Sequence, residues 1–311
     1  MKLGMVFPGQ GSQAVGMLMA YDGLPEVEAV RVEAANALGS EFLRILDQGP
    51  AAQLNLTVNT QPAMLTAAIA AYRAWRALGG PEPAIVAGHS LGEYSALVAA
   101  GALSMREALP LVRFRAEAMQ QAVPEGQGAM AAILGLDDEA ARAACAEAAQ
   151  GEAVQAVNFN APGQVVIAGH KGAVARAIEA CKARGAKGAL PLPVSAPFHS
   201  SLMQPAGEKL RSYIEKISFL EPKIQVINNV DVKTETDPGA IKEALVRQAA
   251  SPVRWVETIR FMAAQGVTQV IECGPGKVLA GLVKRIAPGL QGVAAADRAS
   301  LERALAASRG A

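Results

Sequence analysis

Aromatic residues make up only 4% of this 311-residue chain, and cysteine and histidine occur three times each. The cysteines, Cys145, Cys181 and Cys273, are odd in number and share no metal-ligand spacing. That excludes a fully paired disulfide framework and points to reduced, packed thiols in a cytoplasmic protein with no bound metal. An excess of either charge is also missing: 29 Lys and Arg stand against 28 Asp and Glu, a net charge of +1. Such a balance provides no general attraction to nucleic acid or to an anionic membrane. No apolar run approaches the roughly 18 residues of a membrane span. The opening apolar stretch breaks at Pro8-Gly9, too early for a signal peptide. What remains is a globular chain, 51% hydrophobic, whose core must be built from Ala, Val, Leu and Ile. Its length suits a large domain carrying a second, smaller one.

The pattern along the chain supports that division. Leu3 to Phe7 reads as a buried strand that feeds the turn Pro8-Gly9-Gln10-Gly11-Ser12. Helical spacing runs from Pro62 to Leu78, Ala84 to Ala87 is a second buried strand, and Glu93 to Ala100 and Met105 to Gln121 are helical. After Pro124-Glu125-Gly126-Gln127-Gly128 the order changes to strand, helix, strand, strand, helix, strand, ending near Pro191-Leu192-Pro193. This βαββαβ order is that of a ferredoxin-like unit. The spacing therefore predicts an insert over 126–194 within a larger, mostly parallel α/β part formed by 1–125 and 195–311. Further strands are expected near Ile224 to Ile227 and Val270 to Glu272.

Gly88-His89-Ser90-Leu91-Gly92 lies between the second strand and a helix, where a G-x-S-x-G turn lifts a serine hydroxyl above a sheet. A glycine-rich turn with a capping serine fits the same residues. If Ser90 is a nucleophile it needs a base, because a hydroxyl is barely ionised at neutral pH. His89 adjoins it and should turn away to serve packing, while His170 lies at a turn of the insert. His199, in Pro197-Phe198-His199, meets Ser90 only through the fold; otherwise it is a loop histidine without a role. No acid between Ser90 and His199 stands out as a third member. A Ser–His pair is expected, with a carbonyl holding the imidazole Nδ1–H. Gly274-Pro275-Gly276-Lys277 lacks the glycine and the Ser or Thr of a phosphate loop and reads as a turn.

Five segments, in order, carry a resemblance: Phe7 to Gln13, Gly88 to Tyr94, Asn158 to Gln164, Pro197 to His199, and Glu272 to Gly276. Together they are similar to the malonyl-CoA:acyl-carrier-protein transacylase family of bacterial fatty-acid synthesis. The resemblance implies an α/β-hydrolase-like large subdomain and a ferredoxin-like small one. It implies Ser90 as nucleophile, His199 as base, and the backbone N–H groups of Gln10 and Leu91 as the oxyanion hole. It further implies Gln248 as the residue whose carbonyl orients the histidine, and Arg115 as the clamp for a malonyl carboxylate. Arg113, two residues away, cannot share the helix face of Arg115. Phe198 would crowd an α-methyl group on a bulkier acyl chain. The implied substrates are malonyl-CoA, a coenzyme A thioester, and holo acyl carrier protein, with no bound cofactor and a monomeric enzyme. Lys182, Arg184 and Lys187 are candidates for a basic surface facing an acidic carrier. The alternatives are a trans-acting polyketide acyltransferase, a serine thioesterase or esterase, and a silent acyl-CoA-binding module.

Overall fold

The computed structural model describes residues 2–194 and 196–308; Ser195, at the expected end of the insert, lies outside the described residues, as do Met1 and 309–311. The strands among the described residues are β1 (Leu3–Phe7), β2 (Ile85–Gly88), β3 (Gly128–Leu134), β4 (Val154–Ala161), β5 (Gln164–His170), β6 (Gly188–Pro191), β7 (Gln225–Ile227), β8 (Gln269–Cys273) and β9 (Gln291–Ala295). One sheet runs β7-β2-β1-β8-β9, with every neighbouring pair parallel. Its inner strands are covered on both faces, which is why β1 and β2 are continuously apolar or small rather than alternating; β8 is equally buried and carries Gln269 and Glu272 within it.

The second sheet runs β4-β5-β3-β6 and is antiparallel. Alternation sorts its side chains. Ala131, Ile133, Val165 and Ile167 pack on the helices Asp138–Ala149 and Lys171–Ala183, in a core that also holds Cys145 and Cys181. The opposite face presents Met130, Val166 and Ala168 to Leu192, Val194 and Phe198. The second sheet is tied to the segment before the helix Trp255–Ala264, where Phe159 N donates to Val253 O (3.0 Å) and Val253 N donates to Val157 O (2.8 Å). Among the described residues no helix is long and apolar enough to cross a membrane.

Several boundaries differ from the sequence reading. The helix expected from Pro62 begins five residues earlier and spans Thr57–Ala77. Proline there costs only the bond to the carbonyl four residues back. The preceding turn is held instead by side chains, with Thr60 Oγ1 donating to Leu54 O (2.6 Å) and Asn59 Nδ2 to Gln53 O (2.9 Å). Strand β6 ends at Pro191, inside the Pro191-Leu192-Pro193 segment where the insert was expected to close, since Pro193 has no N–H for a ladder. Strand β9 escaped the reading because Gln291–Ala295 is short and only its last residue is fully buried.

The register Phe7↔Gly88 places the ends of β1 and β2 side by side, so that the loops leaving them are neighbours. His89 N donates to Phe7 O (3.0 Å). The fit is close: a Cβ on Gly92 would stand 2.1 Å from Phe7 O, and one on Gly88 would stand 1.8 Å from Gly92 C. Both obstacles are backbone and cannot rotate aside. Gly92→Ala should therefore cost about 3 kcal/mol or more, read as a fall in the urea midpoint or loss of soluble protein. An unchanged midpoint would show that β1 and the turn after β2 separate freely.

Candidate active site

Ser90 occupies the turn between β2 and the helix Gly92–Ala99 with φ +52°, and His199 has φ +65°. Side chains with a Cβ seldom adopt this left-handed region, which costs on the order of 1–3 kcal/mol and needs surrounding bonds to hold it. At Ser90 those bonds come from two distant residues. Asn229 Oδ1 accepts from Ser90 N (2.8 Å) while its Nδ2 donates to Gly88 O (2.7 Å), and Gln248 Nε2 donates to Ser90 O (3.0 Å).

His199 Nε2 stands 2.7 Å from Ser90 Oγ, and its Nδ1 stands 3.0 Å from the backbone carbonyl of Gln248. A carbonyl only accepts, so the proton resides on Nδ1 and Nε2 presents its lone pair to the serine hydroxyl. Among the described residues no carboxylate hydrogen-bonds to the imidazole. His199 is 4% exposed. Burial, then the positive charge of Arg115, pull its pKa from the usual value down to about 3. The ring is thus a neutral acceptor at physiological pH.

Arg115, in the middle of the helix Met105–Gln121, is 2% exposed. It donates to Gln61 Oε1 (2.7 Å), Gln248 Oε1 (2.9 Å) and Ser90 Oγ (3.1 Å), and its guanidinium lies 5.4 Å from the centre of the Tyr94 ring. No Asp or Glu among the described residues pairs with it. Arg113 points elsewhere, over Phe42 at 5.4 Å. Neither the Gln10 nor the Leu91 backbone N–H donates to a described residue, and both residues line the same cavity as Ser90. That cavity, about 530 Å3, is walled by Met130, Leu192, Val194 and Phe198 on the side of the second sheet.

His89 faces away from the hydroxyl, with its Nε2 2.8 Å from Asn160 Oδ1 and its ring tilted against Trp255. His170 Nδ1 accepts from Ala153 N (2.9 Å) within the second sheet. The turn Gly274-Pro275-Gly276 buttresses the loop that bears Gln10: a Cβ on Gly276 would stand 2.7 Å from Ser12 Oγ. Two of the three cations proposed as a basic surface are already paired, Lys182 with Glu179 and Arg184 with Glu147. Sequence reasoning passed over Asn229, Gln61, Asn160 and Glu93. Glu93 was visible within the quoted Gly88 to Tyr94 segment, but nothing in its spacing told that it is buried. Burial pushes its carboxyl up to about 7, against the pull of Gln248, Asn229 and Arg115.

A serine hydroxyl bonded to a neutral imidazole, beside two free amides and a buried cation, is the equipment of an enzyme that carries acyl groups. The chain belongs to the acyl transferase domain family, whose model matches residues 5–300. It is 57% identical over 302 residues to the malonyl CoA-acyl carrier protein transacylase of Escherichia coli K12, covering 96% of this chain and 97% of that protein. The crystal structure of acyl-carrier-protein S-malonyltransferase from Burkholderia pseudomallei 1710b superposes with TM-score 0.96 at 62% identity, covering 98% of this chain and 100% of that one. A malonyl-transacylase solved in complex with its type II PKS acyl-carrier protein gives TM-score 0.97 at 53% identity, covering 99% and 100%.

The lowered His199 pKa has a measurable consequence. Between about 6.5 and about 3 the unfolded chain binds a proton at this position that the folded protein does not. The contribution of His199 to stability is thus whole above pH ~6.5 and is lost progressively as the pH falls towards the folded value. Urea unfolding should lose free energy more steeply below pH ~6.5 in the wild type than in His199→Gln, by a slope of up to about one proton. Parallel slopes would mean that the imidazole is solvated.

Proposed function

We propose that this protein transfers the malonyl group of malonyl-CoA to the phosphopantetheine thiol of acyl carrier protein through an ester on Ser90, supplying extender units for fatty-acid synthesis. The observation that carries the reading is the unpaired, buried Arg115 guanidinium at 3.1 Å from Ser90 Oγ.

In the first half-reaction Ser90 Oγ attacks the thioester carbonyl while His199 Nε2 takes its proton. The oxyanion accepts from Gln10 N–H and Leu91 N–H, donors fixed before the charge develops. Collapse breaks the C–S bond, and the imidazolium protonates the departing thiolate. Gln248 O keeps Nδ1 protonated throughout, so the ring cycles only at Nε2. The second half-reaction repeats these steps with the carrier thiol as nucleophile. Arg115 takes the free carboxylate of the malonyl group in a bidentate pair. An acetyl group would leave the buried cation with neutral partners only, and this difference selects the acyl group. Phe198, walling the cavity, limits a branch at the α-carbon.

The chain is read as two subdomains, an α/β-hydrolase-like part formed by 1–125 and 195–311 and a ferredoxin-like insert over 126–194. The sheet order β4-β5-β3-β6 and the separate apolar core around Cys145 and Cys181 support the division. A second reading, in which the carrier belongs to a polyketide line, is favoured by the likeness to the transacylase solved with a PKS carrier. The chemistry is the same, and the carrier loaded fastest decides between them.

Brief mixing with malonyl-CoA, without carrier, should add one malonyl group to the wild-type mass and none to Ser90→Ala. Labelling of the variant would sink the nucleophile assignment, and fast release of malonate from the wild type would make the protein a hydrolase. Arg115→Ala should lower malonyl transfer by about a hundredfold and leave acetyl transfer equal or raised. An equal loss with both acyl groups would refute the clamp.

A further inference from the structure

Among the described residues Glu93 is the one buried carboxylate hydrogen-bonded to the catalytic cluster, yet it bonds neither Ser90 Oγ nor His199. It lies in the first turn of the helix Gly92–Ala99, three residues after Ser90, and is 2% exposed. Its Oε2 accepts from the backbone N–H of Asn229 (2.9 Å) and from Gln248 Nε2 (2.8 Å). Both partners hold the turn around Ser90, Asn229 through Ser90 N and Gly88 O, Gln248 through Ser90 O.

The bond to Gln248 decides which way that amide points. Its nitrogen end meets two oxygens, Glu93 Oε2 and Ser90 O, and its oxygen end meets an Arg115 N–H at 2.9 Å. A guanidinium has donors only, so the reversed amide would set N–H against N–H on one side and oxygen against oxygen on the other. One orientation satisfies all three partners, and Glu93 supplies one of the two acceptors that select it. Gln248 is 1% exposed, so no water compensates a reversed amide.

The geometry points to Glu93 as a positioning residue for acyl selection: by fixing the amide of Gln248 it sets Arg115 beside Ser90 Oγ before the substrate carboxylate arrives. The inference rests on the malonyl-transfer reading above. It separates two duties of Gln248: its backbone carbonyl, held by the helix Pro238–Gln248, serves His199, and its side chain serves Arg115. Disturbing Glu93 should therefore reach the carboxylate-bearing acyl group far more than the proton transfer common to all acyl groups.

The test compares Ser90 acylation rates, read by intact mass, from malonyl-CoA and from acetyl-CoA. Glu93→Met keeps the volume and removes the acceptor; any loss through the Ser90 turn falls on both acyl groups alike, and the malonyl-to-acetyl ratio of acylation rates should fall by at least about tenfold. Glu93→Gln keeps an acceptor oxygen and should recover most of the loss. Gln248→Leu, which removes the relay and keeps the carbonyl, should lower the malonyl-to-acetyl ratio to the same extent, and adding Glu93→Met to it should not lower the ratio further. Equal losses with both acyl groups, or an unchanged malonyl-to-acetyl ratio, would overturn the proposal. If Glu93→Met does not fold, Gln248→Leu decides alone, since an unchanged ratio there excludes the relay. A wild type that takes up no malonyl group overturns the malonyl-transfer reading and the proposal with it; a wild type that is labelled while the ratios stay fixed overturns the proposal only.

Discussion

A guanidinium buried without a carboxylate partner is the constraint around which the rest of this site is arranged. Isolated charges are expelled from protein interiors unless neutral dipoles or a counter-ion replace their hydration. At Arg115 the replacement is neutral: Gln61 and Gln248 supply amide oxygens, Ser90 supplies a hydroxyl oxygen, and the face of Tyr94 lies alongside. These partners are sufficient to keep the cation and insufficient to neutralise it. A direct Asp or Glu partner would have made a stable ion pair and a poor receptor. The buried carboxylate of Glu93 is kept one amide away, so it orients the neutral partner without consuming the charge.

The same cation acts on the imidazole. Arg115 and burial together hold His199 well below its ordinary pKa, which keeps it neutral and able to accept a proton. A weak base in the resting protein is not a weak base at every step. In the reaction proposed above, an oxyanion forming beside it would offset Arg115 and raise the proton affinity of Nε2 when transfer is required. In this arrangement no third carboxylate is needed to stabilise the imidazolium, and the Nδ1–H is satisfied by the carbonyl of Gln248. The geometry therefore explains the absence of an acid at the position that a hydrolase triad would fill.

Which parts of this were legible in the sequence follows from how local each signal is. β1 and β2 are runs of apolar and small residues ended by glycine-rich turns, and the order of elements in the insert is written in short alternating segments; both survive folding nearly unchanged. The turn at Ser90 is marked by Gly88 and Gly92 because two backbones approach there too closely for a Cβ. The supports of the turn are another matter. Asn229 and Gln248 bond Ser90 across separations of 139 and 158 residues, and neither lies in a recognisable local pattern. Their value depends on a pairing of strands that places β7 beside β2, which single-residue chemistry cannot foretell. Pro62 misled for the opposite reason: a strong local rule about helix starts was overridden by side chains that bond the preceding turn.

The placement of strain completes the physical account. The positions of closest approach, Gly88 and Gly92, are glycines and bear no side chain, whereas the left-handed conformations at Ser90 and His199 fall on the two residues that face one another. A glycine at either would relax the backbone and lose the reacting atom, so the unfavourable φ must be offset elsewhere. Around Ser90 it is offset by the bonds from Asn229 and Gln248, and both converge on Glu93. One buried carboxylate thus lies behind the conformation of Ser90 on one side and the posture of the Arg115 guanidinium on the other. The elbow and the acyl pocket, formed from segments far apart in the chain, are on this account a single hydrogen-bonded unit.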